Sequence, residues 1–498
     1  MINTQIDSID SSPDASAANV ATAIPAVKRL PKYIHLIGAG GAGLSGAAVL
    51  LLERGHTVTA HDCESSSFTE KLVAKGLDVQ LGESDEAHLP ANAELVVRSA
   101  AVDDEDPQVC LARKRGLPVI KYAELLGRLC DGYTLAVAGT HGKTTTSWML
   151  YHALRGLHGL QPQSKATPGA LIGGIDTFSS SNAAAPGKDG WLTVEACEYD
   201  RSFLNLSPRA AVITNVEADH LDYFGTYQAV CEAFARFADR VHPEGLLVVG
   251  KNVPSMVEQA ASCEVWRVGR EIHFKTVRET HGYFHFHVRG PGWRTGLIRL
   301  AVPGLFNVEN AACAIGLAVG YVAREQGVPF ADAAEVVGEG LREFVGVKRR
   351  FEPWGLISGI EVIHDYAHHP TEIRATIEAA RRAMPGRPLQ VLFQPHQYSR
   401  TARFLNAFVD SFAGVESVVV ADVYGARNHI DEQTAGATEL ARLIEKTGVK
   451  AVAGGSLSSC CKLFEARLSG GMGALVLGAG DIDTIHDELT ANLALRST

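Results

Sequence analysis

Twice in the first third of the chain an apolar run ends in a glycine-rich turn and passes into a helical pattern. The first is Tyr33-Ile-His-Leu-Ile-Gly-Ala-Gly-Gly-Ala-Gly-Leu-Ser-Gly46. The second is Leu135-Ala-Val-Ala-Gly-Thr-His-Gly-Lys-Thr-Thr-Thr146. Strand, tight turn and helix N-terminus in that order predict α/β units built on parallel strands. They also predict anion sites, because the helix N-terminus and its free N–H groups face whatever sits in the turn.

The two turns carry different chemistry. In the second, Gly139-Thr140-His141-Gly142-Lys143-Thr144 approaches the G-x-x-x-x-G-K-[ST] pattern, with Val137 where that pattern has its first glycine. Lys143 supplies a point charge for terminal phosphates, and Thr144 a hydroxyl for Mg²⁺. This points to a nucleotide triphosphate. The first turn, Gly38-x-Gly40-x-x-Gly43, is followed about twenty residues on by Asp62, at the end of His56–Asp62. That is the dinucleotide fingerprint, and it suits NAD or the diphosphate of a nucleotide-sugar equally well.

Further strands are predicted near Leu95–Ser99 and Pro118–Lys121, then at Trp191–Glu195 and Ala210–Asn215. His273–Val302 alternates in an antiparallel fashion, with the Tyr283–Val288 stripe reading as sheet packing, and a helix follows over Asn307–Ala318. A third αβ series has strands at Glu361–His364, Leu389–Phe393, Ser417–Ala421 and Ala474–Leu477, and a glycine turn at Gly478–Asp481. The reading is three α/β domains in series: 31–132, 133–348 and 349–498, behind an unstructured tail, 1–30. Gln161–Thr167 and Ser179–Asp189 read as loops.

A length of 498 residues requires more than one core, and 46% hydrophobic with 20% charged residues is an ordinary globular balance. A net charge of −10 gives no nucleic-acid footprint. No apolar run reaches the roughly 20 residues of a membrane span. The N-terminus is not a secretory signal, and nine cysteines without C-x-x-C spacing suggest reduced thiols and a cytoplasmic location.

Several further motifs occur in order: Glu217-Ala-Asp-His-Leu-Asp222, Asn307-Val-Glu-Asn310, Gly346-Val-Lys-Arg-Arg-Phe351, Asp365-Tyr-Ala-His-His-Pro-Thr-Glu372 and Gln394-Pro-His-Gln-Tyr-Ser-Arg-Thr401. With the two glycine turns they span residues 32–482 and resemble the Mur ligase family. Within it the chain is most similar to the branch that adds L-alanine to UDP-N-acetylmuramate. The resemblance implies a Rossmann-like first domain, a central P-loop ATPase-type domain and a Rossmann-like third domain. It implies an ATP-dependent ligase that phosphorylates the lactyl carboxylate of UDP-N-acetylmuramate and lets L-alanine attack the acyl phosphate, in peptidoglycan precursor synthesis. ATP and Mg²⁺ are the expected co-substrate and ion, with neither nucleic acid nor membrane as partner, in a monomer or homodimer.

Carried over by position, the resemblance assigns ATP to Gly139, Thr140, His141, Gly142, Lys143, Thr144, Thr145, Asn307, Asn310 and Arg350. Thr144, Glu195 and His220 are the implied Mg²⁺ ligands. Lys143, Glu195, His220, Arg350 and Asp365 are the implied catalytic set, the last two from a third domain that closes over ATP at hinges near 132 and 349. The UDP-substrate falls to Gly40, Gly41, Ala42 and Gly43, and the acceptor and reacting phosphate to Tyr366, His368, His396 and Arg400. Each has a plainer reading. Glu195 can be a solvated strand end, Asn307 an N-cap, Arg349 and Arg350 a surface pair. His368-His369 suggests a transition-metal pair, but no third ligand is suitably spaced.

The chain departs from the branch pattern at Cys197, Tyr199, Phe306 and Gln397. Tyr199 is shared with the related ligases that add a whole tripeptide. Gln397 stands where an arginine is usual, a charge that Arg403 or Arg427 can supply instead. No lysine lies in Tyr227–Arg236, which fits the alanine branch. The competing readings are the tripeptide-adding ligase, a nicotinamide oxidoreductase resting on Gly38–Gly43, and a non-catalytic UDP-sugar sensor.

Overall fold

A computed structural model describes residues 30–130, 134–157, 167–187, 190–425 and 436–495. The predicted tail, apart from Leu30, lies outside them, as do residues 161–166 and 188–189 of the predicted loops, the 132 hinge and Arg427.

The first sheet has five parallel strands: β1 (Tyr33–Ile37), β2 (Thr57–Asp62), β3 (Asp78–Leu81), β4 (Leu95–Arg98) and β5 (Val119–Lys121), in the order β3-β2-β1-β4-β5. The order reverses at β1, so the crevice beyond its carboxyl end lies where α/β sheets bind ligands. The Ala42–Glu53 helix leaves from there.

The second sheet has seven strands: β6 (Thr134–Ala138), β7 (Gly169–Leu171), β8 (Ala183–Ala184), β9 (Leu192–Glu195), β10 (Ala210–Ile213), β11 (Leu246–Val249) and β12 (Glu264–Arg267). Their order is β12-β11-β10-β6-β9-β7-β8, parallel except at β7–β8. β6 is buried at every residue because helices cover both faces, which is why it reads as an unbroken apolar run. A small antiparallel sheet follows: β13 (His273–Thr280), β14 (Tyr283–Gly290), β15 (Trp293–Arg294) and β16 (Ile298–Arg299). Phe284, Phe286 and Val288 face inward, so the Tyr283–Val288 stripe is packing.

The helix predicted over Asn307–Ala318 runs from Leu305 to Glu325. It starts two residues earlier, behind Gly304 (φ +98°), so Asn307 is not its N-cap. At 21 residues, with an 18-residue window of mean hydropathy 1.4, it is long and apolar enough to cross a membrane by length and composition, contrary to the expectation of no such run. That stretch is 83% buried, packed against the Lys143–Arg155 helix and the core around Trp148, Trp191 and Trp266.

The last sheet has six strands: β17 (Glu352–Ile357), β18 (Ile360–Asp365), β19 (Leu389–Gln394), β20 (Ser417–Ala421), β21 (Lys450–Gly455) and β22 (Gly473–Gly478). They lie in the order β17-β18-β22-β19-β20-β21, parallel except at the β17 edge. Of the predicted loop Ser179–Asp189, the start is pinned: Asp176 accepts bonds from the Ser179 N–H (2.9 Å) and hydroxyl (2.8 Å), and Ala183–Ala184 form β8.

Candidate functional site

The loop after β6 is shaped by its glycines. Gly139 has φ +141°, and a Cβ there would stand 1.9 Å from Thr214 Oγ1. Gly142 has φ +79°, with Asn310 Oδ1 2.8 Å from a Cβ. No other residue type fits both turns. The end of β10 straps the loop from behind. His141 N–H donates to Asn215 Oδ1 (2.9 Å), while Thr214 Oγ1 and Asn215 Nδ2 donate to the His141 carbonyl (2.6 and 3.1 Å).

Lys143 opens the helix and folds back. Its Nζ donates to the Gly139 and Thr140 carbonyls (2.8 and 3.0 Å) and pairs with Glu198 at 2.9 Å. Burial opposes its charge, but Glu198 overrides that and holds the amine protonated above the usual lysine range. Thr144 Oγ1 donates to Glu195 Oε1 (3.1 Å), whose other oxygen accepts the Gly173 N–H (2.9 Å). Glu195 is therefore fixed at the end of β9, not a freely solvated strand end.

His220 sits in the left-handed region (φ 51°), capping a short Leu221–Phe224 helix. Its Nε2 is 3.8 Å from both Glu198 and Asp219, its Nδ1 is buried without a hydrogen-bond partner, and Tyr199 lies 5.0 Å away, ring to ring. Burial lowers the His220 pKa and keeps the ring neutral. Lys143, Thr144, Glu195 and His220 are thus brought together, with Glu198 and Asp219 among them. Neither acid is among the residues that the sequence assigns to the site: Asp219 lies in the Glu217–Asp222 motif beside His220, and Glu198 lies between Cys197 and Tyr199, two positions that depart from the branch pattern.

The third domain contributes from its joint. Arg349 (φ 64°) and Phe351 (φ 48°) hold left-handed backbone on either side of Arg350, a strain found where a side chain must be aimed. Arg349 and Arg350 lie 4.8 and 4.7 Å from the Tyr366 ring centre. They are not a surface pair: Arg349 also donates to the Gly480 carbonyl (2.7 Å). Asp365 is buried, accepts the Phe351 and Ala367 N–H groups (2.7 and 2.8 Å), and is pushed up to about 6 by burial, against Arg350 and those bonds.

Two cavities meet at the phosphate loop. A pocket of about 230 Å³ is lined by His141, Gly142, Thr145, Phe306, Asn307 and Asn310 and covered by Arg350 and Asp365. A cleft of about 840 Å³ carries Gly40, Gly41, Ala42 and Lys71 from the first domain. The middle domain adds Thr140, Lys143, Thr144, Glu195, Glu198 and His220, and the third adds Arg350, Tyr366 and His368. His141, Gly142, Arg350 and Glu372 belong to both walls. The loop is a partition that a polyphosphate can reach from one side and a second substrate from the other.

Some expected residues are placed elsewhere. Gly43 turns toward Tyr122, with a Cβ position 2.8 Å from its ring. Among the described residues, Tyr366 and His368 reach the cleft wall, but His396 and Arg400 do not. Arg400 is buried, 3.2 Å from Asp219 and 3.3 Å from His396 Nδ1. Asp62 accepts the Gly40 N–H (2.7 Å) and the Glu64 N–H (3.2 Å), so its carboxylate shapes the first loop and is not left open for a ribose. His369 does find partners outside its own motif: His141, Glu217 and His369 offer ligand atoms within 4.8 Å of one another. The His369 Nδ1, however, accepts the Thr371 N–H (3.3 Å) as a helix cap. That leaves the proton on Nε2, so the trio is not a ligand set while the cap is intact.

Three family models match the chain in series: "Mur ligase family, catalytic domain" over 33–134, "Mur ligase middle domain" over 137–318 and "Mur ligase, glutamate ligase domain" over 349–480. The UDP-N-acetylmuramate–L-alanine ligase of Clostridium acetobutylicum is 36% identical over 92% of this chain and 97% of its own length. That of Salinibacter ruber is 38% identical over 92% and 94%. Among solved structures, a UDP-N-acetylmuramate–alanine ligase from Thermotoga maritima superposes with a TM-score of 0.74 at 26% identity, covering 94% of this chain and 100% of that one. A murein peptide ligase from Psychrobacter arcticus shares the fold at TM-score 0.68 and 22% identity, covering 93% and 99%.

Proposed function

The chain belongs to the Mur ligase family, and we propose that it joins the lactyl carboxylate of UDP-N-acetylmuramate to L-alanine with conversion of ATP to ADP and phosphate, a step of peptidoglycan precursor synthesis in the cytoplasm. The observation that carries this reading is the phosphate loop as a shared wall, with Lys143, Thr144 and Glu195 on the cleft side. The names of the alanine-adding relatives set the acceptor.

The chemistry follows from that geometry. A carboxylate is a poor electrophile until one oxygen becomes part of a phosphate leaving group. Its oxygen attacks the γ-phosphorus, the bond to the β-phosphate oxygen breaks, and ADP leaves. The alanine nitrogen then attacks the acyl carbon, loses a proton, and phosphate departs. Two anions must meet in the first step. Lys143 and the free N–H groups of the loop offset that repulsion. Asn307, Asn310, Arg350 and Asp365 hold the nucleotide in the smaller pocket, Gly40–Ala42 hold the UDP portion, and Tyr366 and His368 receive the acceptor. His396 and Arg400 support that wall from behind. Thr144, Glu195 and His220 fit Mg²⁺: a hydroxyl and a carboxylate suit a hard cation, and the His220 Nδ1 has no competing hydrogen bond. When bound, the ion screens phosphate charge.

The test is ADP release with UDP-N-acetylmuramate and a panel of acceptors. L-alanine is the expected acceptor. Tyr199 against His220 is the one feature favouring the tripeptide-adding reading, and turnover with the tripeptide but not with L-alanine would overturn the assignment.

A further inference from the structure

His141 lies in the phosphate loop, but its ring contacts the third domain. Nδ1 is 3.1 Å from Glu372 Oε1, Nε2 is 3.6 Å from Glu217 Oε2, and the ring is 4.9 Å from that of His369. Glu372 and His369 belong to the first turn and cap of the Pro370–Ala383 helix. Glu217 follows β10 and is itself bound by Thr371 Oγ1 (3.0 Å). The second oxygen of Glu372 accepts the His368 N–H (3.1 Å) and is 3.2 Å from His368 Nδ1. One carboxylate therefore touches the nucleotide loop with one oxygen and the acceptor-side histidine with the other.

The charges make this contact specific. Two carboxylates converge on one imidazole, which presents an N–H to each of them only as a cation. Burial opposes the charge, but the nearby Glu217 carboxylate and the hydrogen bond to Glu372 outweigh it and raise His141 to about 9. The loop backbone is strapped by Thr214 and Asn215. A shift of the Pro370–Ala383 helix is thus felt by the loop through this side chain, because the backbone around it is already committed.

We propose that His141 is a positioning residue that couples the nucleotide loop to the acceptor wall: through Glu372 it sets His368 according to whether the loop is engaged. The proposal rests on the reading that this loop holds ATP and that the third domain receives the acceptor.

The test compares His141→Phe, Glu372→Gln, their combination, His141→Asn and His141→Gln in the full chain. Asn places a donor where Nδ1 stands, toward Glu372, and Gln places one toward Glu217. Two readouts are used: kcat and KM for L-alanine, and hydrogen exchange of the amides at 366–372 with and without a magnesium-bound non-hydrolysable ATP analogue. In the wild type the analogue slows that exchange. At saturating analogue, His141→Phe and Glu372→Gln are expected to abolish the slowing and to cost about tenfold in kcat/KM for alanine. The double variant falls no further than the worse single variant, and Asn restores more than Gln. Arg382→Ala removes another contact between the middle and third domains, the ion pair with Glu279, and is expected to change neither readout. Losses that multiply in the double variant, or an Arg382→Ala effect of equal size, would overturn the proposal. Slowed exchange that His141→Phe abolishes, in a wild type inactive with alanine, would uphold the coupling and refute the acceptor assignment.

Discussion

The two glycine loops share one architecture and do different work. Each leaves an inner strand of a parallel sheet and starts a helix, and each is tied by the end of a neighbouring strand. Asp62 takes the Gly40 N–H at 2.7 Å, and Asn215 takes the His141 N–H at 2.9 Å. The first helix opens Ala42-Gly-Leu-Ser with no acidic or basic side chain. The second opens Lys143-Thr-Thr-Thr, opposite Glu195 and Glu198. Backbone donors alone can hold a diphosphate. Redistributing charge on a phosphate that is being transferred takes a cation, a hydroxyl and carboxylates as well. On the proposed function the fold supplies binding twice, and the side chains supply chemistry once.

The sharpest way to break this contrast is Lys143→Met. ATP turnover should fall on the order of 10³-fold, the loss typical of removing an aligned charge from a transferring group, while UDP-substrate binding, measured by calorimetry, is unchanged. Glu198 is left buried without its partner, a penalty of its own. Lys143→Met/Glu198→Gln removes that penalty and should recover thermal stability without recovering turnover. Restored turnover in the double variant would show that Lys143 only neutralises Glu198.

Glycine substitutions separate the loops by shape. Gly139→Ala forces a Cβ against Thr214 Oγ1 in a backbone region that alanine rarely adopts, whereas at Gly41 a Cβ meets nothing closer than 3.8 Å. Gly139→Ala should lower unfolding free energy by about 3 kcal/mol in denaturant titration. Gly41→Ala should leave it within about 0.5 kcal/mol and act on the UDP-substrate KM alone. Equal destabilisation at both would mean that the second loop is no more constrained than the first.

Both loops, and the order of three α/β domains, are legible in the sequence because buried parallel strands are unbroken apolar runs and the turns need glycine at Gly38, Gly139 and Gly142. What is not legible is short, edge-placed or distant. β17 (Glu352–Ile357) is half exposed and carries Pro353 and Gly355, β21 ends in two glycines, and β8 is two residues long. Arg400 reads as an acceptor-binding cation. It meets Asp219, 181 positions away, a contact that no local pattern encodes. Glu372 sits inside the Asp365–Glu372 motif and Glu198 three residues past Glu195, yet their roles depend on which other chain segments arrive beside them.

The loops also differ in what they fasten. Only the second grips another domain through an ionisable ring, with Glu217, Glu372 and His369 facing His141 from the elements packed on it. The folded-state pKa of His141, about 9, exceeds its unfolded value of 6.5. The linked stabilisation, roughly 3–4 kcal/mol at most, is therefore fully present below pH 6.5 and lost as pH rises through 9. The difference in melting temperature between wild type and His141→Gln should shrink across that window. A constant difference would mean that the ring is neutral and the contact an ordinary hydrogen bond.

The smallest expected effect lies in the first loop. Asp62 spends its carboxylate on the Gly40 and Glu64 N–H groups. Asp62→Ala should cost about 1 kcal/mol of stability, the net worth of a hydrogen bond to a partly exposed group. It should also loosen the turn that presents Gly40–Ala42, raising the UDP-substrate KM several-fold with kcat unchanged. That split follows because the loop binds the substrate equally before and during phosphoryl transfer, and uniform binding enters KM and not kcat. A fall in kcat matching the rise in KM would place the first loop in the chemistry and erase the distinction between the two.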